Sequence, residues 1–201
     1  MTILLLLAAY LIGGIPFGYL LVRWRTGEDV RAKGSGNIGA TNVLRSSGRA
    51  LGMATLLLDI AKGWVAVWLM ARYGSAEPQW TALAGIVVIL GHAFPVMLRF
   101  QGGKAVASFV GAFAYLAPLP LLAITIVFVA VVAATRFISL GSIVGAGLFP
   151  FAVWMIDHPD TPLVLAALAG GIFIIWRHKA NIGRLRAGTE NVFRFGKKKA
   201  A

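Results

Sequence analysis

Long apolar segments recur along the whole chain, and this feature constrains its fold more than any other. Of the 201 residues, 59% are hydrophobic and only 13% are charged. A helical segment of about 20 apolar residues is long enough to cross the roughly 30 Å hydrocarbon layer of a bilayer. The length and hydropathy of the segments therefore predict an all-α integral membrane protein.

Hydropathy delimits seven candidate transmembrane spans. The first carries no positive charge before its apolar part, so we expect a retained span and not a cleaved signal peptide. The stretch 105–134 contains Pro118 and Pro120, and it is either one kinked helix or two short ones. The seven segments are 2–22, 51–72, 80–98, 105–117, 119–134, 138–156 and 162–177.

The distribution of charge favours seven spans over six. With seven spans, one side of the membrane receives all but Lys62 and Arg72 of the 19 basic residues. The positive-inside rule then predicts an N-terminus outside and a C-terminus in the cytoplasm, with the fourth and fifth spans short. We expect a single membrane domain over residues 1–190 and a basic cytoplasmic tail over 191–201 that contacts anionic lipid.

Composition also limits the chemistry. The net charge of +12 on a membrane protein favours anionic lipids and anionic substrates over nucleic acid. The absence of cysteine excludes disulfides, thiolate nucleophiles and cysteine metal sites. Glu28 and Asp29 are adjacent but otherwise isolated, so no acidic cluster typical of a Mg²⁺-dependent phosphotransferase is present. The sequence therefore predicts neither a metal nor a cofactor.

The segment 33–42, with the sequence KGSGNIGATN, concentrates glycine and hydrogen-bonding side chains in an otherwise apolar chain. Glycines allow tight turns close to a ligand, and successive backbone N–H groups in such turns can bind an anion. The segment matches neither a P-loop nor a dinucleotide fingerprint. It is either a phosphate-binding loop or a flexible surface loop. Its candidate binding groups are Ser35, Gly36, Asn37, Thr41 and Asn42, with Arg45 nearby.

Two further polar segments follow the third and seventh spans. His92 lies at the end of the third span, and Gly102, Gly103 and Lys104 precede the fourth, where helix N–H groups also face an anion. A lone histidine in this position is more often structural than catalytic. The candidates after the seventh span are Arg177, His178, Asn181, Arg184 and Glu190.

Asp59 and Lys62 lie three residues apart on one face of the second span. Charged side chains inside a membrane are costly and suggest function by default. The alternative is a mutually neutralising pair that orients the helix. We favour structural support, with Asp59 as a supporting partner of a basic loop residue.

At these segments the sequence resembles the bacterial acyl-phosphate:glycerol-3-phosphate acyltransferase family. The similarity extends over nearly the whole chain, to about Glu190, and the only departure noted is Ser108, where threonine is expected. The matching motifs are 34–42 (GSGNIGATN), 58–59 with 62–63, 91–95 (GHAFP), 102–107 (GGKAVA), 177–178, 181–182 and 184–185.

The resemblance implies transfer of a fatty acyl group from acyl phosphate to the 1-hydroxyl of glycerol 3-phosphate, at the cytoplasmic face of the bacterial inner membrane. It implies lysophosphatidic acid and phosphate as products, in phospholipid biosynthesis. The expected catalytic residues are Ser35, His92, Lys104 and Asn181, and Asp59, Lys62 and Glu190 are expected to support them.

We expect the first loop to bind the acyl phosphate head, and the Lys104 and Arg177–Arg184 groups to neutralise the second or departing phosphate. Three acceptors for the hydroxyl proton remain open: His92, an oxygen of the donor phosphate, or Ser35 by way of an acyl-enzyme. The rival functions are an anion or phosphate transporter and a lipid-docked scaffold. Transporters tend to place their sites near the midplane, whereas these polar groups crowd one face.

Overall fold

The structure is a computed structural model that describes residues 1–193. Within this range it contains ten α-helices and two short 3-10 helices, and no β-strand, which confirms the predicted all-α fold. Most of the predicted basic tail, residues 194–201 with Lys197–Lys199, lies outside the described range. The helices are α1 (Thr2–Gly13), α2 (Phe17–Thr26), α3 (Ala40–Ser47), α4 (Arg49–Tyr73), α5 (Pro78–Ala93), α6 (Val106–Leu116), α7 (Pro118–Thr135), α8 (Ile138–Asp157), α9 (Thr161–Arg177) and α10 (Lys179–Arg186), and the 3-10 helices are Val30–Ala32 and Val96–Leu98.

Four helices are long and apolar enough to cross a membrane by themselves, namely α4, α5 with its 3-10 extension, α7 and α8. Two bent pairs meet the same criterion together: α1 with α2, bent by 41°, and α9 with α10, bent by 55°. The apolar helix α6 has only 11 residues. Every predicted apolar segment is therefore mainly helical, although the first is divided between α1 and α2, while the count of seven spans and the sides of the termini stay predictions.

The first predicted span is not one continuous helix. Pro16 lacks an N–H group and disfavours helical backbone in the residue before it, so the chain breaks between α1 and α2. In the break, the carbonyl of Ile15 accepts a hydrogen bond of 2.8 Å from Lys62 Nζ on α4, in addition to the N–H of Phe17 at 3.1 Å. A backbone group at a helix break inside the membrane segment is thus paired within the protein.

The stretch 105–134 is two helices, which decides between the alternatives left open by the sequence. Ala117 leaves the helical region, with φ −150° and ψ 68°, and Pro118 begins α7, where its missing N–H costs nothing. The prediction that both helices are short is correct only for the fourth segment, because α7 has 18 residues and passes the span criterion alone.

Glycines bring α4 and α6 into close backbone contact. A side chain added at Gly63 would collide with the carbonyl oxygen of Ser108, and one added at Gly111 would collide with that of Ile60. Such close approach is typical of membrane helices, because lipid provides no hydrophobic force between them. The contact fixes the start of α6 and therefore the polar turn that precedes it.

An aromatic cluster anchors α6 to α8 on the core side. The ring centroid of Phe109 lies 4.4 Å from that of Phe113 and 5.0 Å from that of Phe149, and Phe113 and Phe149 are 4.8 Å apart. Phe113 and Phe149 are fully buried. These contacts hold α6, the shortest of the apolar helices, between α4 and α8.

Substitution of Gly111 by alanine is expected to lower the thermal stability of the purified protein in detergent, because overpacking at a backbone contact costs roughly 1–3 kcal/mol. Gly147→Ala on α8 is the matched control, since its nearest neighbour would be the Cδ1 atom of Ile175 at 3.8 Å. There alanine is expected to be neutral or to stabilise the helix by up to about 1 kcal/mol. Equal melting temperatures for the two variants would contradict the close contact between α4 and α6.

Candidate phosphate-binding site

The glycine-rich loop is organised by the side chain of Asn42. This residue, at the start of α3, is 2% exposed. Its Oδ1 accepts the N–H of Ser35 at 2.9 Å, and its Nδ2 donates to the carbonyls of Lys33 at 3.0 Å and Asn37 at 2.8 Å. The amide of Asn42 is therefore engaged in shaping the loop, although the sequence had suggested it as a ligand for substrate.

The loop needs glycine at two positions and leaves other groups facing outwards. Gly34 and Gly36 have left-handed backbone angles, with φ 59° and 70°, and a side chain at Gly34 would collide with Oδ1 of Asn42. Ser35 and Thr41 are exposed, as is Gly36. The outer surface of the loop therefore presents the hydroxyl groups of Ser35 and Thr41, while the N–H groups of Ser35 and Gly36 donate to Asn42 Oδ1 and to the carbonyl of Lys33.

The second glycine pair forms a turn that is held from two directions. The N–H groups of Gly102 and Gly103 donate to the carbonyls of Ala93 and His92, at 3.1 and 3.2 Å. The guanidinium of Arg177 donates to the carbonyls of the same two glycines, with Nε 3.1 Å from Gly103 O and Nη2 3.1 Å from Gly102 O. Arg177 thus fixes the turn, and with it the position of Lys104.

A chain of hydrogen bonds runs from Lys104 into the third polar segment. The Lys104 ammonium donates to Oδ1 of Asn181, and Nδ2 of Asn181 donates to Oε1 of Glu190 at 2.8 Å. Nε of Arg184 donates to Oε2 of Glu190 at 2.8 Å, and the Ser139 hydroxyl donates to Oε1 at 3.0 Å. Glu190 therefore turns the Asn181 amide so that its oxygen faces Lys104.

The cationic groups of all three polar segments act on one another. The pKa of Lys104 is lowered to about 8, mainly by burial and also by the positive charges of Arg184, Arg177 and Arg45, against the opposing charge of Glu190. Burial opposes ionisation of Glu190, but its hydrogen bonds with Asn181, Arg184 and Ser139 outweigh this and hold its pKa below the usual value. The site is a cluster of desolvated cations around one carboxylate.

The two histidines occupy different surroundings. His92 is 4% exposed, and a side chain at Gly103 would collide with its ring. His178 lies in the electrostatic neighbourhood of Lys104 and Glu190, and its Nδ1 is 2.7 Å from the carbonyl of Ile174. That carbonyl can only accept, so Nδ1 carries the proton and Nε2 of the neutral ring is a hydrogen-bond acceptor.

The structure brings some predicted site residues together and leaves others apart. Lys104, Arg177, His178, Asn181, Arg184 and Glu190 form one connected group, and the charge of Arg45 reaches it. Among residues 1–193, no hydrogen bond is seen between this group and Ser35 or Thr41. The contribution of Ser139 was missed, because a serine at the start of an apolar helix carries no special signal in the sequence.

Within the described part of the chain, no three His, Cys, Asp or Glu side chains come together in a way that could hold a metal ion. The site consists of hydrogen-bond donors and cations, which suit phosphate oxygens. Fold and site together define an integral membrane protein of helices with a cluster of cationic and hydrogen-bonding side chains near the ends of several of them.

The chain belongs to the glycerol-3-phosphate acyltransferase family, whose model matches residues 3–188. A glycerol-3-phosphate acyltransferase of Geobacter sulfurreducens is 45% identical over 192 residues, which cover 96% of this chain and 97% of that protein. The crystal structure of PlsY, an integral membrane glycerol 3-phosphate acyltransferase, in its glycerol 3-phosphate form matches with a TM-score of 0.90 and 32% identity, over 96% of both chains. Its lysophosphatidic acid form matches with a TM-score of 0.87 and 31% identity, over 96% of this chain and 95% of that one.

Proposed function

We propose that this protein transfers a fatty acyl group from an acyl phosphate to the 1-hydroxyl of glycerol 3-phosphate, and so makes lysophosphatidic acid and phosphate. The observation that carries the proposal is the cationic group around Lys104, present in a chain of the glycerol-3-phosphate acyltransferase family. The related PlsY has been crystallised in glycerol 3-phosphate and lysophosphatidic acid forms, which correspond to the acceptor and the product of this reaction. The family and its site do not support the transporter alternative.

The proposed chemistry asks the protein mainly to position two anions. An acyl phosphate is a mixed anhydride and therefore already an activated acyl donor. The hydroxyl oxygen of glycerol 3-phosphate attacks the acyl carbonyl carbon, the bond between that carbon and the phosphate oxygen breaks, and phosphate leaves with the electron pair. Holding both reactants in line, with donors aimed at the developing charge, supplies the catalysis.

We assign the two phosphates to different parts of the site. The glycine-rich loop offers neutral donors, and it would hold the head group of the acyl phosphate through Ser35, Gly36, Asn37 and Thr41. The Lys104 cluster offers concentrated positive charge, and it would hold the phosphate of glycerol 3-phosphate. Arg45 acts electrostatically on Lys104 from the helix that follows the loop, so it would lie between the two phosphates.

We further propose that an oxygen of the donor phosphate takes the hydroxyl proton. His92 does not suit this role, because its Nδ1 faces Asp59 at 3.7 Å and its ring packs against the backbone of Gly103. An acyl-enzyme at Ser35 is unnecessary for a donor that is already activated. His178 Nε2, which accepts hydrogen bonds, would orient the glycerol hydroxyl without removing its proton.

We also propose that the enzyme lies in the bacterial cytoplasmic membrane with its site facing the cytoplasm. The helices that carry the site belong to a bundle of apolar helices, several of which are long enough to cross a membrane. The related PlsY is an integral membrane protein. The basic residues concentrate in the connections that form the site, and such connections are retained on the cytoplasmic side. That side would also supply the soluble substrate, glycerol 3-phosphate.

The first test is phosphate release by the purified protein in lipid nanodiscs, with palmitoyl phosphate and glycerol 3-phosphate and without acyl-CoA. Release is expected to require both substrates and to yield lysophosphatidic acid, detected by mass spectrometry. Lys104→Ala should reduce kcat/KM at least 100-fold, in the range seen when one charge-stabilising group is removed. Lys179→Ala is the matched control, because Lys179 is exposed and should leave the rate unchanged. No release by the wild-type protein in lipid would contradict the proposal.

The pH dependence is expected to follow Lys104. Its ammonium is charged below its pKa of about 8 and neutral above it, so kcat/KM for glycerol 3-phosphate should fall as the pH rises through about 8. The Lys104→Arg variant should have a lower kcat/KM at neutral pH, because the guanidinium has a different shape. Its kcat/KM should not decline at alkaline pH, since the guanidinium stays charged. The same decline in both proteins would assign the titration to another group.

A pair of substitutions tests whether His92 acts as a base. Gly103→Ala should inactivate the enzyme, because the new methyl group collides with the His92 ring. If His92 only packs against the turn, His92→Ala creates the missing space and the double variant should recover about tenfold over Gly103→Ala, as contacting residues couple by roughly 0.5–3 kcal/mol. A double variant less active than either single variant would restore His92 as the base.

A further inference from the structure

The second transmembrane helix, α4, contains a buried ion pair whose role the reaction does not explain. Lys62 Nζ lies 2.7 Å from Asp59 Oδ1, with side chains that are both 2% exposed. A buried ion pair is weak support for stability, because well-packed apolar residues in its place are often as stable or more so. Charges retained inside a membrane segment point instead to a functional requirement.

The contacts of the pair join three separate elements. Lys62 donates to the Ile15 carbonyl at 2.8 Å, in the break between α1 and α2, and lies over the ring of Phe17 at 5.6 Å. The carboxylate of Asp59 lies 3.7 Å from Nδ1 of His92 on α5, and within the described chain this buried nitrogen has no hydrogen-bond partner. The pair therefore connects the helix break, α4 and the end of α5.

From His92 the connection continues to the glycine turn. The backbone carbonyl of His92 accepts the N–H of Gly103 at 3.2 Å, and its ring fills the space where a side chain at Gly103 would lie. The Asp59 carboxylate, 3.7 Å from Nδ1, is too far away for a hydrogen bond, but its charge favours the tautomer with the proton on that atom. The turn thus rests on His92 while Arg177 holds its carbonyls, and Lys104 is the next residue.

We propose that Asp59 and Lys62 are positioning residues that act through His92 on the Gly102–Gly103 turn and determine where the Lys104 ammonium is placed. The inference rests on the proposed function only in taking Lys104 as the group that binds the phosphate of glycerol 3-phosphate. This positioning role would explain why the buried ion pair is present, although it does not contact substrate and is not needed for stability. Among the described residues, no hydrogen bond or ion pair joins Asp59 or Lys62 to the glycine-rich loop, so the two substrates should respond differently to the loss of the pair.

The test compares Asp59→Asn, Lys62→Met and the double variant in the phosphate-release assay, with melting temperatures measured in parallel. Each single variant leaves one unpaired charge buried and should be unstable, whereas the double variant leaves none and should regain most of the wild-type stability. The double variant should still show a KM for glycerol 3-phosphate raised roughly 10- to 100-fold, the range known for outer-shell partners of a site. Its KM for palmitoyl phosphate should be unchanged.

Thr55→Val is the matched control, because Thr55 is fully buried one turn earlier on α4. Among residues 1–193, its hydroxyl is seen to donate only to the Leu51 carbonyl of its own helix. It should leave both KM values unchanged. A double variant that regains both stability and the wild-type KM for glycerol 3-phosphate would overturn the proposal. If the pair is purely structural, kcat should fall in proportion to the amount of folded protein while KM stays unchanged. That result would also overturn the proposal.

Hydrogen exchange keeps the two proposals apart. In the double variant, the amides of Gly102 and Gly103 should exchange about tenfold faster than in the wild-type protein, while Thr55→Val leaves them unchanged. Unchanged exchange in the double variant would overturn the positioning role whatever the activity. If the wild-type protein releases no phosphate but the turn loosens as expected, the proposed reaction fails and the positioning role stands.

Discussion

A polar group that enters hydrocarbon has to find its partner inside the protein, and the architecture of this site follows from that requirement. In the break at Pro16, the Ile15 carbonyl accepts a hydrogen bond from Lys62. The ammonium of Lys62 is in turn balanced by Asp59, and the Asp59 carboxylate faces His92. The break between α1 and α2 is therefore connected, through Lys62, Asp59 and His92, to the glycine turn that carries Lys104.

The second consequence concerns charge. Lys104, Arg177 and Arg184 lie close together in partly buried positions, with Glu190 as the nearest compensating carboxylate. Desolvation and their mutual repulsion lower the pKa of Lys104. In the site without substrate, the Lys104 ammonium therefore loses its proton more readily than a lysine in water. A bound phosphate would relieve this repulsion and strengthen each hydrogen bond, since charge-assisted bonds are the stronger ones. The electrostatics of the free site and its proposed substrate are thus complementary.

Some parts of the site follow from residue type, and others do not. Gly34 and Gly36 identify the first loop because only glycine adopts their left-handed angles freely, and Gly102–Gly103 identify the turn for a related reason, the lack of space for a side chain. The direction of Asn42 was not predictable. An asparagine in such a loop can bond to the substrate or to its own backbone, and the choice depends on the distance from Asn42 to Ser35 and Lys33 in the folded loop.

The sequence by itself determined that the chain is helical and integral to the membrane, where its apolar segments lie, and which three segments carry the polar groups. Hydropathy and backbone preference are properties of neighbouring residues, so they can be read along the chain. Only the tertiary structure decided which polar groups are engaged internally and which remain for a ligand. Asn181 and Lys104 are 77 residues apart and share a hydrogen bond, and the turn of their side chains towards each other depends on how α6, α9 and α10 pack. Such long-range partnership is fixed by three-dimensional packing, which no local pattern contains.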